Sequence, residues 1–228
     1  MKTTHGMIRV NIGQAKTAYW VAGIVFLLGL ANTITDYFIP GSMNNSIVAI
    51  GNFLFLLPIF MGILIPAKNF TKLMNLGGKR MDFWKSCLPV YVLAALAVSL
   101  VSLVLCKFLN PVILHRIGGV MDLFDVFGFM GHGIVAAFFQ MSAFLFLAAC
   151  VAHTLTLIQG RWYGWIVDVL IVAIISVFTP ITVLRSALVW FFHMIIFHNS
   201  AIVQIVSCVV LGAVVYALSL IPIKSKNV

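Results

Sequence analysis

Six stretches of this chain are long and apolar enough to cross a bilayer, and no other feature limits its fold as strongly. A helix rises 1.5 Å per residue, so about 20 apolar residues span the roughly 30 Å of hydrocarbon. With 63% hydrophobic and 8% charged residues among 228, the chain also lacks the charge that a soluble surface needs. The sequence predicts an all-α integral membrane protein with one transmembrane domain, residues 1–228. The predicted spans are residues 18–39, 46–66, 86–109, 129–158, 164–184 and 201–222.

Basic residues gather on one side of the six spans. An even number of spans places both chain ends on the same side, and loops that stay in the cytoplasm hold an excess of Lys and Arg. We therefore expect a multi-pass protein of the cell membrane with both termini cytoplasmic. The net charge of +9 is assigned to this topology and to anionic lipid, not to nucleic acid. The basic residues on the side of the termini are Lys2, Arg9, Lys16, Lys68, Lys72, Lys79, Arg80, Lys85, Arg161, Lys224 and Lys226, and those on the other side are Lys107, Arg116 and Arg185.

The acidic and cysteine residues exclude most catalytic chemistry. All five acidic residues are Asp, so Glu-dependent metalloproteases, intramembrane peptidases and glycosidase pairs are excluded. The run Gly77-Gly78-Lys79 is not a nucleotide-binding P-loop, because Leu73 and Arg80 stand where Gly and Ser or Thr are required. The four cysteines form no CxxC pair and the histidines lack ligand spacing. We expect no catalytic residue, metal or cofactor in this chain, and a membrane enzyme is the least favoured function.

Several polar residues within or beside the spans are candidates for a transport path or for ion pairs. An ionisable group inside a span is a functional candidate by default. Asp36, near the outer end of the first span, could pair with Lys107 or Arg185, and we favour such a pair over a substrate contact. Asn52 and Gln140 could line a path or bridge helices, and bridging is the commoner use.

Asp168 is the corresponding candidate at the cytoplasmic side, one turn inside the fifth span. Arg161 lies seven residues earlier on the same helical face, and His153 ends the fourth span. Either could neutralise the carboxylate. A structural role is again favoured, because one Asp near an interface does not make a proton relay.

The N-terminal segment Met7–Thr17 is modestly amphipathic. Ile8, Ile12 and Ala15 share one helical face, while Arg9 and Lys16 lie off it. The segment could lie along the inner leaflet as an amphipathic helix. A disordered tail is the alternative.

The loop Lys68–Lys85 is the one large cytoplasmic loop. Its apolar residues recur at steps of three and four, so they share one helical stripe, and Gly77-Gly78 should break that helix midway. The stripe could rest on anionic lipid or could dock into a groove of a soluble partner. The stripe is Phe70, Leu73, Met74, Gly77, Met81 and Trp84.

The outer segment Arg185–Ser200 is apolar but too short to cross the membrane. Backbone at membrane depth must keep its hydrogen bonds internal. The sequence therefore predicts a re-entrant helical hairpin that enters from outside between the fifth and sixth spans. Pro58 and Pro180 are expected to kink the second and fifth spans.

The order Leu73-x-x-Leu76-Gly77-x-x-Arg80-x-x-Phe83 between the second and third spans resembles the permease subunits of type-two ABC exporters. That family has six spans, cytoplasmic termini, an amphipathic N-terminal helix, a coupling helix in this loop and an outer re-entrant hairpin. Small bacterial half-permeases that export peptides are the most similar in size. The loop departs from the family in one respect, because Gly77 stands where Pro is frequent.

The resemblance implies which residues meet a separate ATPase. Asn69–Leu76 would be the coupling helix, with Phe70, Leu73 and Met74 inserted into the ATPase and with Lys72, Lys79 and Arg80 as rim charges. Arg161 and Trp162 would form a second, smaller contact. Two ATPase subunits would hold the ATP and Mg. A second copy of this chain, or a sister permease, would complete the path in the lipid bilayer for amphipathic or hydrophobic cargo, with peptide as the expected class.

A substrate-capture subunit of a vitamin-uptake transporter is the alternative function. Such subunits are also small, six-spanning and without a P-loop, and Ala18-x-x-x-Ala22 in the first span could pack against a partner helix. They do not need an amphipathic cytoplasmic helix after the second span. The Lys68–Lys85 loop therefore favours the exporter.

Overall fold

The computed structural model describes residues 2–38, 47–117, 119–159 and 162–225, and almost all of them are helical. Two strands of two residues each form the single sheet within these ranges, in which Ile47–Val48 pairs in parallel with Val120–Met121. The elements in order are α1 (Lys2–Gln14), α2 (Lys16–Phe38), β1 (Ile47–Val48), α3 (Ile50–Leu54), α4 (Leu56–Leu64), a π-helical turn (Ile65–Asn69), α5 (Phe70–Asn75), α6 (Arg80–Phe108), α7 (Asn110–Ile117), β2 (Val120–Met121), α8 (Leu123–Val126), a 3-10 turn (Phe129–His132), α9 (Ile134–Ile158), α10 (Trp162–Phe178), α11 (Thr182–Phe192), a π-helical turn (His193–Phe197), α12 (Ala201–Leu218) and α13 (Leu220–Ser225).

Five helical stretches within the described residues are long and apolar enough to cross a membrane. A sixth is formed if the bent pair Trp162–Phe178 and Thr182–Phe197 counts as one span. This confirms the predicted class of all-α membrane protein, with five to six long apolar helices. The five stretches are Thr4–Thr35, Ile50–Asn75, Arg80–Ile113, Ile134–Ile158 and Ala201–Lys224.

The predicted fifth span, residues 164–184, does not continue as one straight helix. α10 ends at Phe178, and α11 leaves at an angle of 115° from residue 182. Pro180 lies in the break. Proline has no backbone N–H, and the residue before it avoids the α conformation, so the helix ends here. The segment 185–200 is therefore one helical arm as far as Phe197, and the sharp bend lies before it.

Two prolines also shape the second span. An α-helix at Pro58 would need its N–H to bond the carbonyl of Leu54, and α3 ends at Leu54. Pro66 likewise cannot donate to Gly62, and the chain widens into the π-helical turn that starts at Ile65. The span nevertheless runs on without a gap into α5, so α5 is its continuation.

α9 is the centre of the bundle, packed between α4, α6 and α12. Small residues let these helices approach closely, as is usual in membranes. A Cβ on Gly62 would lie 2.6 Å from the carbonyl oxygen of Ala149 in α9, and one on Gly212 would lie 2.9 Å from the Phe146 ring. The bundle has a strand end, which carries β1 and β2, and a loop end, which carries residues 68–85.

Candidate functional site

A tight glycine turn joins α5 to α6 in the 68–85 loop. The N–H of Gly77 donates to the carbonyl of Met74, and the N–H of Gly78 donates to the carbonyl of Leu73, both at 2.9 Å. This is a Schellman C-cap, which needs a left-handed residue, and Gly77 has φ +80°. Proline, whose φ is held near −65°, could not take that position. The predicted helix break at Gly77-Gly78 is confirmed.

The apolar stripe of the loop faces the chain's own core. Phe70 is fully buried against the ring of Phe83, with centroids 5.3 Å apart, and Leu73 is buried beside it. These two side chains are not presented to a partner, which corrects the expectation that they insert into one. Met74 is half-buried. Leu76, at the tip of the turn, is 75% exposed and is the apolar side chain that the turn presents outward.

Asn69 belongs to a buried hydrogen-bond chain and not to an exposed surface. Its Nδ2 donates to Oδ1 of Asn11 at 3.2 Å, and Nδ2 of Asn11 donates to Oγ of Ser86 at 3.0 Å. The Ser86 hydroxyl in turn donates to the carbonyl of Phe83. The start of the loop, α1 and α6 are thereby joined, and each buried polar group gains a partner that it needs inside a bundle.

α1 continues almost directly into α2 and packs on α6. The buried residues here are Met7, Asn11 and Ala15, the last of which directly follows α1. The predicted face of Ile8, Ile12 and Ala15 is confirmed at Ala15 and at the half-buried Ile8, whereas Ile12 is exposed and Asn11 lies on the buried face instead. A polar residue, Asn11, lies at its centre, and apolar periodicity could not find it.

Three basic residues of the loop donate hydrogen bonds to other parts of the chain. Nζ of Lys72 donates to Oε1 of Gln14 at 2.9 Å, and Nζ of Lys68 donates to Oγ1 of Thr17 at 3.3 Å. Arg80 donates to the backbone carbonyl of Lys224 at the end of the last helix. The exposed residues Lys72, Leu76 and Lys79 together form the tip surface.

An aromatic clamp fastens the loop to the last span. The ring of Trp84 stacks on that of Tyr216 at 4.9 Å and 24°. Nε1 of Trp84 donates to Oγ of Ser219 at 3.0 Å, and the Tyr216 hydroxyl donates to the carbonyl of Trp84. The sequence placed Trp84 only in the stripe, and nothing local marks Tyr216 or Ser219 as its partners.

His153 and Asp168, considered as a possible pair, have other partners. The buried His153 shares a 2.7 Å hydrogen bond between its Nδ1 and the Tyr91 hydroxyl. The Asp168 carboxylate accepts from Nε2 of Gln159 at 2.8 and 3.0 Å. Arg161 lies outside the described residues. Trp162 begins α10 and is 75% exposed.

The remaining candidate residues hold different positions. Asn52 accepts the N–H of Leu123 at 3.2 Å and donates to the carbonyl of Met121 at 2.9 Å, so it holds the loop after β2. Gln140, fully buried, donates to Oε1 of Gln204 and so bridges α9 to α12. Arg185 is exposed on α11. The side chain of Asp36 lies outside the described residues.

Among the described residues, no group of three His, Cys, Asp or Glu side chains is arranged to hold a metal ion. Cys87, Cys106, Cys150 and Cys208 are buried free thiols. Comparisons with protein-family models, curated proteins and solved structures gave no match to this chain. The fold therefore defines the class, an all-α membrane protein, and any narrower assignment is a proposal.

Proposed function

We propose that this chain is the transmembrane subunit of an ATP-driven exporter of the ABC type, with separate ATPase subunits that bind the ATP and Mg. The observation that supports this best is the tip surface of Lys72, Leu76 and Lys79, on the side that the positive-inside rule assigns to the cytoplasm. An exposed leucine with two cations beside it suits a groove with an apolar floor and an acidic rim.

The connections behind the tip surface suit a lever. The Schellman turn fixes the tip relative to α5, and Asn11 ties α1 to α6 and to the π-helical turn from which α5 continues. The clamp of Trp84 and Tyr216 ties α6 to α12. A push on Leu76 would therefore reach three helices as one body. To shift the transporter from 1:99 to 99:1 between two states, ATP must favour one of them by about 5.5 kcal/mol.

Two copies, or this chain and a sister permease, would enclose the path for amphipathic or hydrophobic cargo, with peptide as the expected class. The bent pair α10 and α11 would be the re-entrant element at the outer side. Arg161 and Trp162 would form the second contact with the ATPase.

The alternative function, a substrate-capture subunit, was supported by the Ala18-x-x-x-Ala22 step, and the structure does not favour it. Ala18 and Ala22 are both buried inside this chain's own bundle, so this small-residue step does not offer a surface to a partner helix. The other alternative, a loop that rests on lipid, leaves the tip surface without a protein partner. It is the outcome that the following experiment separates from docking.

Leu76→Asp is the test of docking, with Ile12→Asp as its control. Ile12 is also an exposed apolar residue, on α1, and is outside the tip surface. Full burial of a leucine contributes about 1.5–3 kcal/mol, or roughly 10–150-fold in affinity. We expect Leu76→Asp to reduce the ATPase that co-purifies with the chain from its native host by at least tenfold, while Ile12→Asp retains it. Equal ATPase recovery with Leu76→Asp would refute the proposal.

A further inference from the structure

A cavity of about 450 Å³ opens at the strand end of the bundle, within the 300–1,000 Å³ range of small-ligand sites. It lies between the turn that precedes α9 and the end of the helical arm that precedes α12. None of the residues that surround it was a candidate in the sequence. The side chains that line it with polar or aromatic groups are Asp125, Phe127, His132, Phe197, His198 and Asn199.

Hydrogen bonds engage both imidazoles of this cavity. Nε2 of His132 lies 2.9 Å from the carbonyl oxygen of Asn199, which can only accept, so Nε2 carries the proton. Its Nδ1 faces the amide nitrogen of Gln140 at 3.3 Å and accepts from it. Nδ1 of His198 accepts the backbone N–H of Ser200 at 3.0 Å. Asp125 is the one acidic residue among the described residues that line the cavity.

The Asp125 carboxylate has no hydrogen-bond partner within the described ranges. Burial, and then the nearby charge of Asp122, raise the pKa of Asp125, and the smaller effect of Lys107 opposes them. Asp122 itself is satisfied, because it accepts from the N–H of Phe124 and from Asn110. Asp125 is thus an exposed carboxylate with the like charge of Asp122 nearby, and a cation beside it would offset that repulsion.

Aromatic rings form the apolar part of the same cavity. Phe127 and Phe197 meet edge to face, with centroids 6.2 Å apart. A phenyl face attracts an organic cation within about 6 Å of its centroid. A carboxylate together with phenyl rings therefore suits a ligand that carries a positive charge on an apolar body.

We propose that this cavity binds an organic cation, an ammonium or guanidinium group on an apolar carrier, with Asp125 as the counter-ion and Phe127 and Phe197 as the apolar walls. The basic side chain of a short peptide and a free amine share this chemistry. The proposal does not depend on the exporter assignment, because it concerns this chain alone.

Three probes of similar size and different charge test the proposal on the full chain in phosphatidylcholine nanodiscs. They are 2-phenylethylammonium, neutral 2-phenylethanol and anionic 3-phenylpropanoate, measured by calorimetry against empty nanodiscs. We expect the cation to bind at least tenfold more tightly than the alcohol, and the anion to bind least. Equal binding of cation and alcohol overturns the proposal.

Asp125→Asn should remove the preference for the cation, while Asp168→Asn, a carboxylate at the loop end, should keep it. Retained preference in Asp125→Asn overturns the assignment. A second measurement needs no variant. Cation affinity of the unaltered chain should fall as the pH is lowered, because the pKa of Asp125 is raised and protonation of this carboxylate removes the negative charge. An affinity that does not change between pH 8 and pH 4 contradicts the proposal.

Discussion

Three tyrosines that differ in the partner of their hydroxyl allow the polar packing of this bundle to be tested with one type of substitution. Tyr→Phe removes a single hydroxyl and leaves the ring. Tyr91 hydrogen-bonds Nδ1 of His153, Tyr216 donates to the carbonyl of Trp84, and the buried Tyr163 hydroxyl has no partner within the described residues. The three variants should therefore differ in stability although the chemical change is identical.

The expected losses follow from what each substitution leaves behind. Tyr91→Phe leaves the buried His153 imidazole with no partner, because its Nε2 is also unpaired in the described structure. An orphaned buried polar group costs about 1–3 kcal/mol, so we expect a loss of about 2 kcal/mol. Tyr216→Phe orphans no group, because the carbonyl of Trp84 still accepts its helical hydrogen bond within α6. The expected loss is therefore that of one net hydrogen bond, about 1 kcal/mol.

Tyr163→Phe is the control. We expect no loss of stability or a small gain, because the hydroxyl that it removes is buried and makes no hydrogen bond within the described residues. Reversible unfolding in mixed detergent–SDS micelles measures all three free energies. Hydrogen bonds between membrane helices average about 0.6 kcal/mol and reach about 1.7, so the loss expected for Tyr216→Phe lies within that range and the loss expected for Tyr91→Phe lies slightly above it, because Tyr91→Phe also orphans a buried imidazole. If Tyr163→Phe costs as much as Tyr91→Phe, the assignment of partners is wrong.

The glycines provide the remaining predictions. Gly77→Ala should lower the free energy of unfolding by about 1–2 kcal/mol, because a left-handed conformation costs an alanine that much; Gly6→Ala, in open space on α1, should be neutral or gain about 0.5–1 kcal/mol. Gly62→Ala should cost more than about 2 kcal/mol, because its Cβ would press on the backbone of Ala149 and separate α4 from α9. Gly23→Ala, with nothing within 4 Å, is its control. Thermal unfolding of the four variants in one detergent measures these differences, and equal midpoints would contradict the packing described.

The breaks in the helices could be predicted from the sequence, because each is caused by residues at or near the break itself. Pro180 predicted a kink, and the helix does break there, between Phe178 and residue 182. Pro58 lies one turn after the break at Phe55. Gly77-Gly78 likewise predicted the break that separates α5 from α6. In each place a missing N–H or a left-handed φ acts within four residues, so no knowledge of distant contacts is required.

The sequence did not predict which way the apolar stripe of the loop faces. Period alone placed Phe70 and Leu73 on one helical face, and they do share one. The cover of Phe70 comes from Phe83 on α6, which periodicity within α5 cannot identify. Leu76 is left as the exposed residue because the Schellman turn carries it away from that face.

The polar partners were equally hidden, because they come from distant parts of the chain. Trp84 meets Tyr216 after 132 residues, and the cavity at Asp125 is completed by His198. Asn52 and Gln140 were recognised as polar candidates, but only the fold shows that one holds a loop and the other bridges two helices.

By itself the sequence determined that the chain lies in a membrane, that it is helical and where its helices break. The length of the apolar stretches and the missing backbone donors of proline act locally, so they need no distant contact. The tertiary structure alone decided which face of each helix is covered, which hydroxyls find partners and which polar residues line the cavity. Those outcomes depend on the free energy of bringing together side chains that lie tens to more than a hundred residues apart, and no local pattern contains it.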